Sequence, residues 1–374
     1  MPGRDPHAPS CPSPPRTHGG RCHAELSALG LAADDVLDLS VSCNPYGPCP
    51  AVVDAIRAAP LDRYPDPAAT LAREALAAAQ GTAPDRIALG NGAAELLWTL
   101  AAVLVRPGRR VVVAEPTFGE LRAAAEHAGG EIVEWRARPD DGFAVDLAAV
   151  GDRIRAAGAD VAYLCAPGTP AGTAIPAGDV AALAAAHPAT TFVLDQSFLS
   201  LSERFADAGL AIDQPANVAC VRSLTKDLAI PGVRIGYLVA APALVARIER
   251  ARPAWTTSAA AQAAAIAGCA AGAFVAASRA RLLADRARLA AELAALGLAP
   301  APSTTGFLAV RVGDARGVRA RLLADHRILV RDCASFGLPD HIRLAARPAA
   351  EQARVIGALS GALACALAAP GGRP

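Results

Sequence analysis

The chain has 374 residues and a formal net charge of +1, enough length for two domains and no electrostatic case for nucleic acid or an anionic membrane surface. Its nine cysteines, at 11, 22, 43, 49, 165, 220, 269, 333 and 365, are scattered without a CxxC pair. An odd, dispersed set argues against a disulfide framework or a zinc site and for reduced thiols in a cytosol.

In chain order, residues 1–16 carry six prolines and no apolar core segment, and are expected to be a disordered leader. Helices are predicted over 93–105, 120–128 and 178–186. Apolar, β-branched runs over 110–116, 160–165, 190–195, 218–222 and 233–239 read as strands between and after them. Strands of continuous apolar character alternating with helices indicate an α/β fold with a mostly parallel sheet covered on both faces. Residues 256–278 carry no charge but are mostly alanine, and predict a buried helix rather than a membrane span. Further helix follows to about 298. A strand over 305–311, a helix over 318–324, strands over 328–331 and 341–344 and a closing helix make a smaller α+β region.

The chemistry starts from one residue: Lys226 is the only lysine, the other 35 basic residues being arginine. Arginine serves wherever a fixed positive charge suffices, but only lysine loses its proton readily enough to act as a Schiff-base amine. A chance surface leftover is the bland alternative. Gly90-Asn-Gly-Ala-Ala-Glu95 opens a helix whose first N–H groups can hold a phosphate, a weak signal alone. Asp195 ends an apolar strand, where a carboxylate can cap a helix or pair with a ring nitrogen. Ser223, Thr225 and Arg234 place hydroxyls and a guanidinium around Lys226. Phe118, just past a strand end, can pack in the core or stack on a flat ring.

These residues carry a resemblance. Arg222-Ser-Leu-Thr-Lys-Asp-Leu-Ala-Ile-Pro-Gly-Val-Arg-Ile-Gly-Tyr-Leu238 is similar to the lysine segment of the aspartate-aminotransferase fold family of pyridoxal-phosphate enzymes. His18-Gly-Gly20, Leu37–Gly47, Arg63-Tyr-Pro-Asp66 and Arg331–Arg343 extend the likeness from about His18 to Leu363. Within that family the chain most resembles threonine-phosphate decarboxylases of cobalamin synthesis and histidinol-phosphate aminotransferases. The resemblance implies a fold type I enzyme: a segment over 17–50 packing with the small domain, a large cofactor-binding domain over 51–255 and a small domain over 256–374. It implies that Lys226 holds pyridoxal phosphate covalently and that Asp195 pairs with the ring nitrogen. Gly92, Ala93, Ser223 and Arg234 would hold the cofactor phosphate, and Phe118 would stack on the ring. Tyr64 would reach the phosphate of a neighbouring subunit, making a homodimer. His18, Arg331 and Arg343 would bind the anionic substrate.

Two departures stand out. Thr169 takes the place of an asparagine that bonds the cofactor's ring oxygen, and Phe198 takes the place of the tyrosine that transaminases aim at that atom. His18-Gly-Gly20 and the Ser223-Leu-Thr-Lys…Ala-Ile-Pro-Gly string resemble the decarboxylase branch more than the transaminase branch, and Phe198 is similar to that branch too. The leading reading is therefore a decarboxylase of an O-phosphorylated amino acid such as threonine phosphate. The alternatives are a histidinol-phosphate-type aminotransferase and a specialised-metabolism enzyme on the same fold. A regulatory module fits less well, because the 16 residues before Thr17 are not expected to form a helix-turn-helix, and an inactive homologue conflicts with Lys226, Asp195 and Arg234. The expected setting is cytoplasmic, with a small-molecule partner and neither nucleic acid nor membrane.

Overall fold

The computed structural model describes residues 18–205 and 215–368; the leader expected over 1–16 lies outside them. A short strand β1 (Leu37–Asp38) precedes β2 (Ile87–Gly90), β3 (Arg110–Glu115), β4 (Glu131–Arg136), β5 (Val161–Cys165), β6 (Thr191–Asp195), β7 (Val218–Ser223) and β8 (Gly236–Val239). β2 to β8 form one sheet in the order β2-β8-β7-β6-β5-β3-β4. β8 runs antiparallel to both neighbours, and every other pair is parallel.

The period of two along β3 decides which side each residue serves. Val111 and Val113 pack with Leu96, Leu97 and Leu100 of the helix Gly92–Leu104. Val112 and Ala114 face the other way, onto Val150 and Ile154 of the helix Leu147–Ala157. That helix starts where Asp146 accepts from the amides of Ala148 and Ala149 and stops at left-handed Gly158. Each fully buried valine or leucine contributes roughly 1.5–3 kcal/mol. Helices on both faces leave the carboxyl ends of the parallel strands as the open edge where a ligand can enter.

Beyond β8 come the helices Pro242–Ala251, Ala259–Cys269 and Gly272–Ala295, then β9 (Phe307–Arg311), the helix Ala315–His326, β10 (Ile328–Leu329), β11 (Arg331–Asp332), β12 (His341–Ala345) and the helix Ala349–Ala368. β11, β12 and β9 make an antiparallel sheet, while β10 pairs in parallel with β1. Leu39, from the N-terminal segment, is fully buried among Leu308, Val318, Ile328, Ile342 and Leu359.

Three expectations need correcting. The run 328–331 is not one strand: after buried Val330 the chain changes partner, from β1 to β12. The run 233–239 is not all strand either, because Pro231–Val233 is a 3-10 turn and Arg234 sits at φ +58° before β8 begins. The uncharged stretch 256–278 is two helices, bent by 80° at a break beside Gly272. In the helix Ala259–Cys269 only Ala261, Ala264 and Ala265 are buried, the i, i+3, i+4 face, and Ile266 is exposed. No single helix among the described residues is long and apolar enough to cross a membrane. β2 and β4 escaped the sequence reading. β4 is a half-buried edge strand with charges along it, and β2 has only four residues.

Candidate active site

Parallel strands deliver their last residues to one place. Cys165 ends β5, Asp195 ends β6 and Ser223 ends β7, and all three line a cavity of about 490 Å³. Asp195 is buried; it accepts from the amide of Ser197 at 2.8 Å and from the hydroxyl of Tyr163 at 3.3 Å. Tyr163 is fully enclosed, and burial pushes its phenol well above the usual range, so it stays a donor. Lys226 lies on the one-turn helix Leu224–Asp227 that follows β7. Its Nζ sits 4.7 Å from the centre of the Phe198 ring and has no hydrogen-bond acceptor among the described residues. Phe198 is braced edge-on by Phe307 at 4.9 Å.

The helix Gly92–Leu104 begins against Arg234. A Cβ on Gly92, which sits at φ +78°, would come 2.3 Å from Arg234 Nη2. A Cβ on Gly236 would come 2.8 Å from the amide nitrogen of Ala93. Only glycine permits both approaches. The Ser223 and Thr225 hydroxyls, 2.7 Å apart, complete a neutral and cationic donor set beside the helix start.

A second cationic group lines the same cavity. β11 and β12 pair so that Arg331 stands directly opposite Arg343, and both are buried. Arg343 donates to Thr169 Oγ1 and to the Ser40 carbonyl, each at 2.6 Å, and lies 5.2 Å from the Phe307 ring centre. Arg331 donates to Ser335 Oγ at 2.6 Å and lies 5.2 Å from the centre of Phe336. Burial pulls both guanidiniums down, Arg343 to about 10. Neither of Arg343's hydrogen-bond acceptors is a carboxylate.

His18 borders the cavity with its ring tilted against Phe118 at 5.7 Å. Its Nε2 lies 2.9 Å from Glu120 Oε1, and Glu120 Oε2 accepts from Trp98 Nε1 at 2.5 Å. Of the residues singled out in the sequence, Lys226, Asp195, Ala93, Phe118, Thr169, Ser223, Arg234, His18, Arg331 and Arg343 therefore share one cavity. Gly92 stands one step behind, under Arg234. Tyr64 does not reach the cavity of its own chain: it is 78% exposed and stacks on Trp255 at 4.6 Å. Tyr163 and Glu120 had no signal in the sequence, since they lie in an ordinary strand and helix, while Ser40 and Cys43 lie in the Leu37–Gly47 segment of the resemblance without a role assigned to them.

The residues fit pyridoxal phosphate. Gly92, Ser223 and Arg234 together could hold a phosphate, and the buried carboxylate of Asp195 could pair with a ring nitrogen. Lys226 offers an unengaged amine. Two buried polar atoms on the wall, Ser42 Oγ and Arg343 Nε, lack partners among the described residues, as expected of a site built for a polar ligand. No group of three or more His, Cys, Asp or Glu among the described residues is arranged to hold a metal.

Comparison with known proteins agrees. Residues 34–359 match the family model for aminotransferase class I and II. The chain is 34% identical over 336 residues to a histidinol-phosphate aminotransferase of Symbiobacterium thermophilum, covering 89% of this chain and 92% of that protein. The structure of histidinol-phosphate aminotransferase from Sinorhizobium meliloti in complex with pyridoxal-5'-phosphate superposes with a TM-score of 0.83 at 29% identity, over 91% of this chain and 94% of that one. L-threonine-O-3-phosphate decarboxylase from Porphyromonas gingivalis superposes with a TM-score of 0.72 at 26% identity, over 84% of this chain and 94% of that one. The chain belongs to the class I and II aminotransferase family and is a pyridoxal-phosphate enzyme of fold type I.

Proposed function

We propose that the substrate is a small amine bearing a phosphate monoester, and that the enzyme moves its amino group to a 2-oxo acid, as in histidinol-phosphate aminotransferases. The observation that carries this reading is the opposed, buried pair Arg331 and Arg343, a second anion site in a cavity that already has a phosphate cradle. The relatives' names support amino transfer over the decarboxylation favoured by the sequence alone.

When bound, the cofactor supplies a carbonyl that captures the amine and a ring that accepts the electron pair of the bond broken beside it. Gly92, Ala93, Ser223 and Arg234 hold its phosphate, and Phe118 covers its ring. Asp195 holds a proton at the ring nitrogen. Lys226 anchors the cofactor and then moves the proton at the amine-bearing carbon. Thr169 accepts from Arg343, which leaves its own hydroxyl hydrogen free, so Thr169 would be the residue to donate to the cofactor's ring oxygen. His18, Arg331 and Arg343 bind the substrate's anionic group, and Tyr64 acts across a homodimer interface.

A second reading rests on Phe198, which puts an apolar ring where transaminases use a tyrosine. With the phosphate gripped by the arginines, an α-carboxylate is left free to stand perpendicular to the ring and leave as carbon dioxide. Purified holoenzyme supplied with histidinol phosphate and 2-oxoglutarate, or with threonine phosphate alone, decides. Glutamate without carbon dioxide supports amino transfer, and carbon dioxide with aminopropanol phosphate establishes the second reading. Turnover of neither, but of unphosphorylated amines, overturns both.

A further inference from the structure

Beside the cationic wall of this cavity stands a carboxylate. Glu120 is buried, lines the cavity, and opens the helix Glu120–His127. An anion in a site meant for anions is a liability unless something neutralises and uses it. Its two oxygens are committed: one to Trp98 Nε1 at 2.5 Å, the other to His18 Nε2 at 2.9 Å. Trp98 is itself fixed, packed against the sheet-facing core and touched at 5.8 Å by the ring of His127 from the far end of the same helix.

We infer, on the footing of the phosphorylated substrate proposed above, that Glu120 is a positioning residue: held by Trp98, it aims His18 at the substrate's anionic group. The carboxylate engages Nε2 and leaves Nδ1 as the ring nitrogen for a second partner. The Phe118 ring lies against the imidazole from one side, so turning the ring away would give up this contact as well as the one to Glu120. A half-exposed histidine with neither brace would spread over several rotamers, and ordering it on binding would weaken the contact. Glu120 therefore contributes through His18 and not by touching the ligand. Without His18 its charge repels the ligand, which gives the device a sign as well as a size.

The test uses holoenzyme, whose cofactor occupies the first phosphate site, and inorganic phosphate as competitive probe. Glu120→Ala in the otherwise intact enzyme should raise the inhibition constant of phosphate roughly tenfold, the effect of losing one charge-assisted contact. The absorption spectrum of the bound cofactor should not change. In a His18→Ala background the same substitution should cause no further weakening, or a gain, because an unmasked carboxylate is removed. Modification of His18 by diethyl pyrocarbonate, followed by mass spectrometry, should speed up severalfold in Glu120→Ala and in Trp98→Phe, which keeps the carboxylate and guards against a folding defect. Losses from Glu120→Ala and His18→Ala that multiply, or a His18 modification rate untouched by either variant, would overturn the inference. The His18 modification rate and the cofactor spectrum are read without turnover, and so stand apart from the inhibition constants. A failure of the substrate reading shows up separately, as a wild-type enzyme that turns over phosphate-free amines as well as phosphorylated ones.

Discussion

Arg331 and Arg343 face each other across two antiparallel strands, register partners with both guanidiniums buried. Like charges directly opposite destabilise a strand pair, and burial adds a further cost that is visible in the lowered protonation range of both groups. An anion bound at the two charges, as in the proposed substrate complex, would repay that cost. Arg331→Ala should therefore raise KM for a phosphorylated substrate by roughly 10- to 150-fold, about 1.5–3 kcal/mol, with much smaller change for its phosphate-free analogue. Equal losses on the two substrates would make Arg331 structural.

Much of this site is legible in the sequence because its chemistry allows few substitutes. A side-chain Schiff-base amine must be lysine, and Lys226 is the only lysine in the chain. The glycine at 92 is demanded by the approach of Arg234, and Asp195 stands out as the charge ending an apolar strand. What could not be read is whatever depends on pairing between distant segments. Nothing local in 328–331 says that Ile328 pairs with Leu37 while Arg331 pairs with Arg343, yet that switch builds the second cationic group. Tyr163 and Glu120 look like ordinary strand and helix residues until the fold brings Asp195 to one and His18 to the other. The reaction is the least legible part. Both chemistries use the same anchor, so the decarboxylase favoured from motifs gave way to the aminotransferase favoured by relatives over most of the chain.

Lys226 offers an unusually clean covalent test. Purified holoenzyme should be yellow, and borohydride should bleach it while leaving the cofactor on Lys226, the one ε-amine for mass spectrometry to find. Lys226→Arg keeps the charge but cannot be the anchor, and should reduce turnover to background. Full activity in that variant would remove Lys226 from the mechanism.

Tyr64 and Trp255 form an exposed aromatic stack outside the cavity, the sort of apolar surface that a partner covers. Tyr64→Ala and Lys226→Ala chains should each be inactive or nearly so. Mixed and reassembled, they should recover part of wild-type activity, because one of the two sites in a mixed dimer receives both native residues. A fully active monomer in sedimentation at assay concentration would rule out the shared site.

Asp227, next to the reactive lysine, gives a pH prediction. Burial pushes its carboxyl from an ordinary 3.8 up to about 6, against the opposing pull of Ser200, Lys226, Arg222 and Arg279. Below pH about 4 both folded and unfolded chains carry the proton, and the group has no effect on stability. Between about 4 and 6 the unfolded chain has released it while the folded chain still binds it, so stability falls as pH rises. Above about 6 both are ionised and the deficit is constant. Asp227→Asn removes the ionisation and should therefore be the more stable protein at pH 7.5, by at most about 3 kcal/mol at 1.36 kcal/mol per pKa unit. The advantage should shrink toward zero as the pH is lowered to 4. Urea midpoints of the two holoenzymes across that range check the sign: a variant less stable than wild type at pH 7.5 would mean that the ionised carboxylate is held by its cationic neighbours rather than penalised by burial.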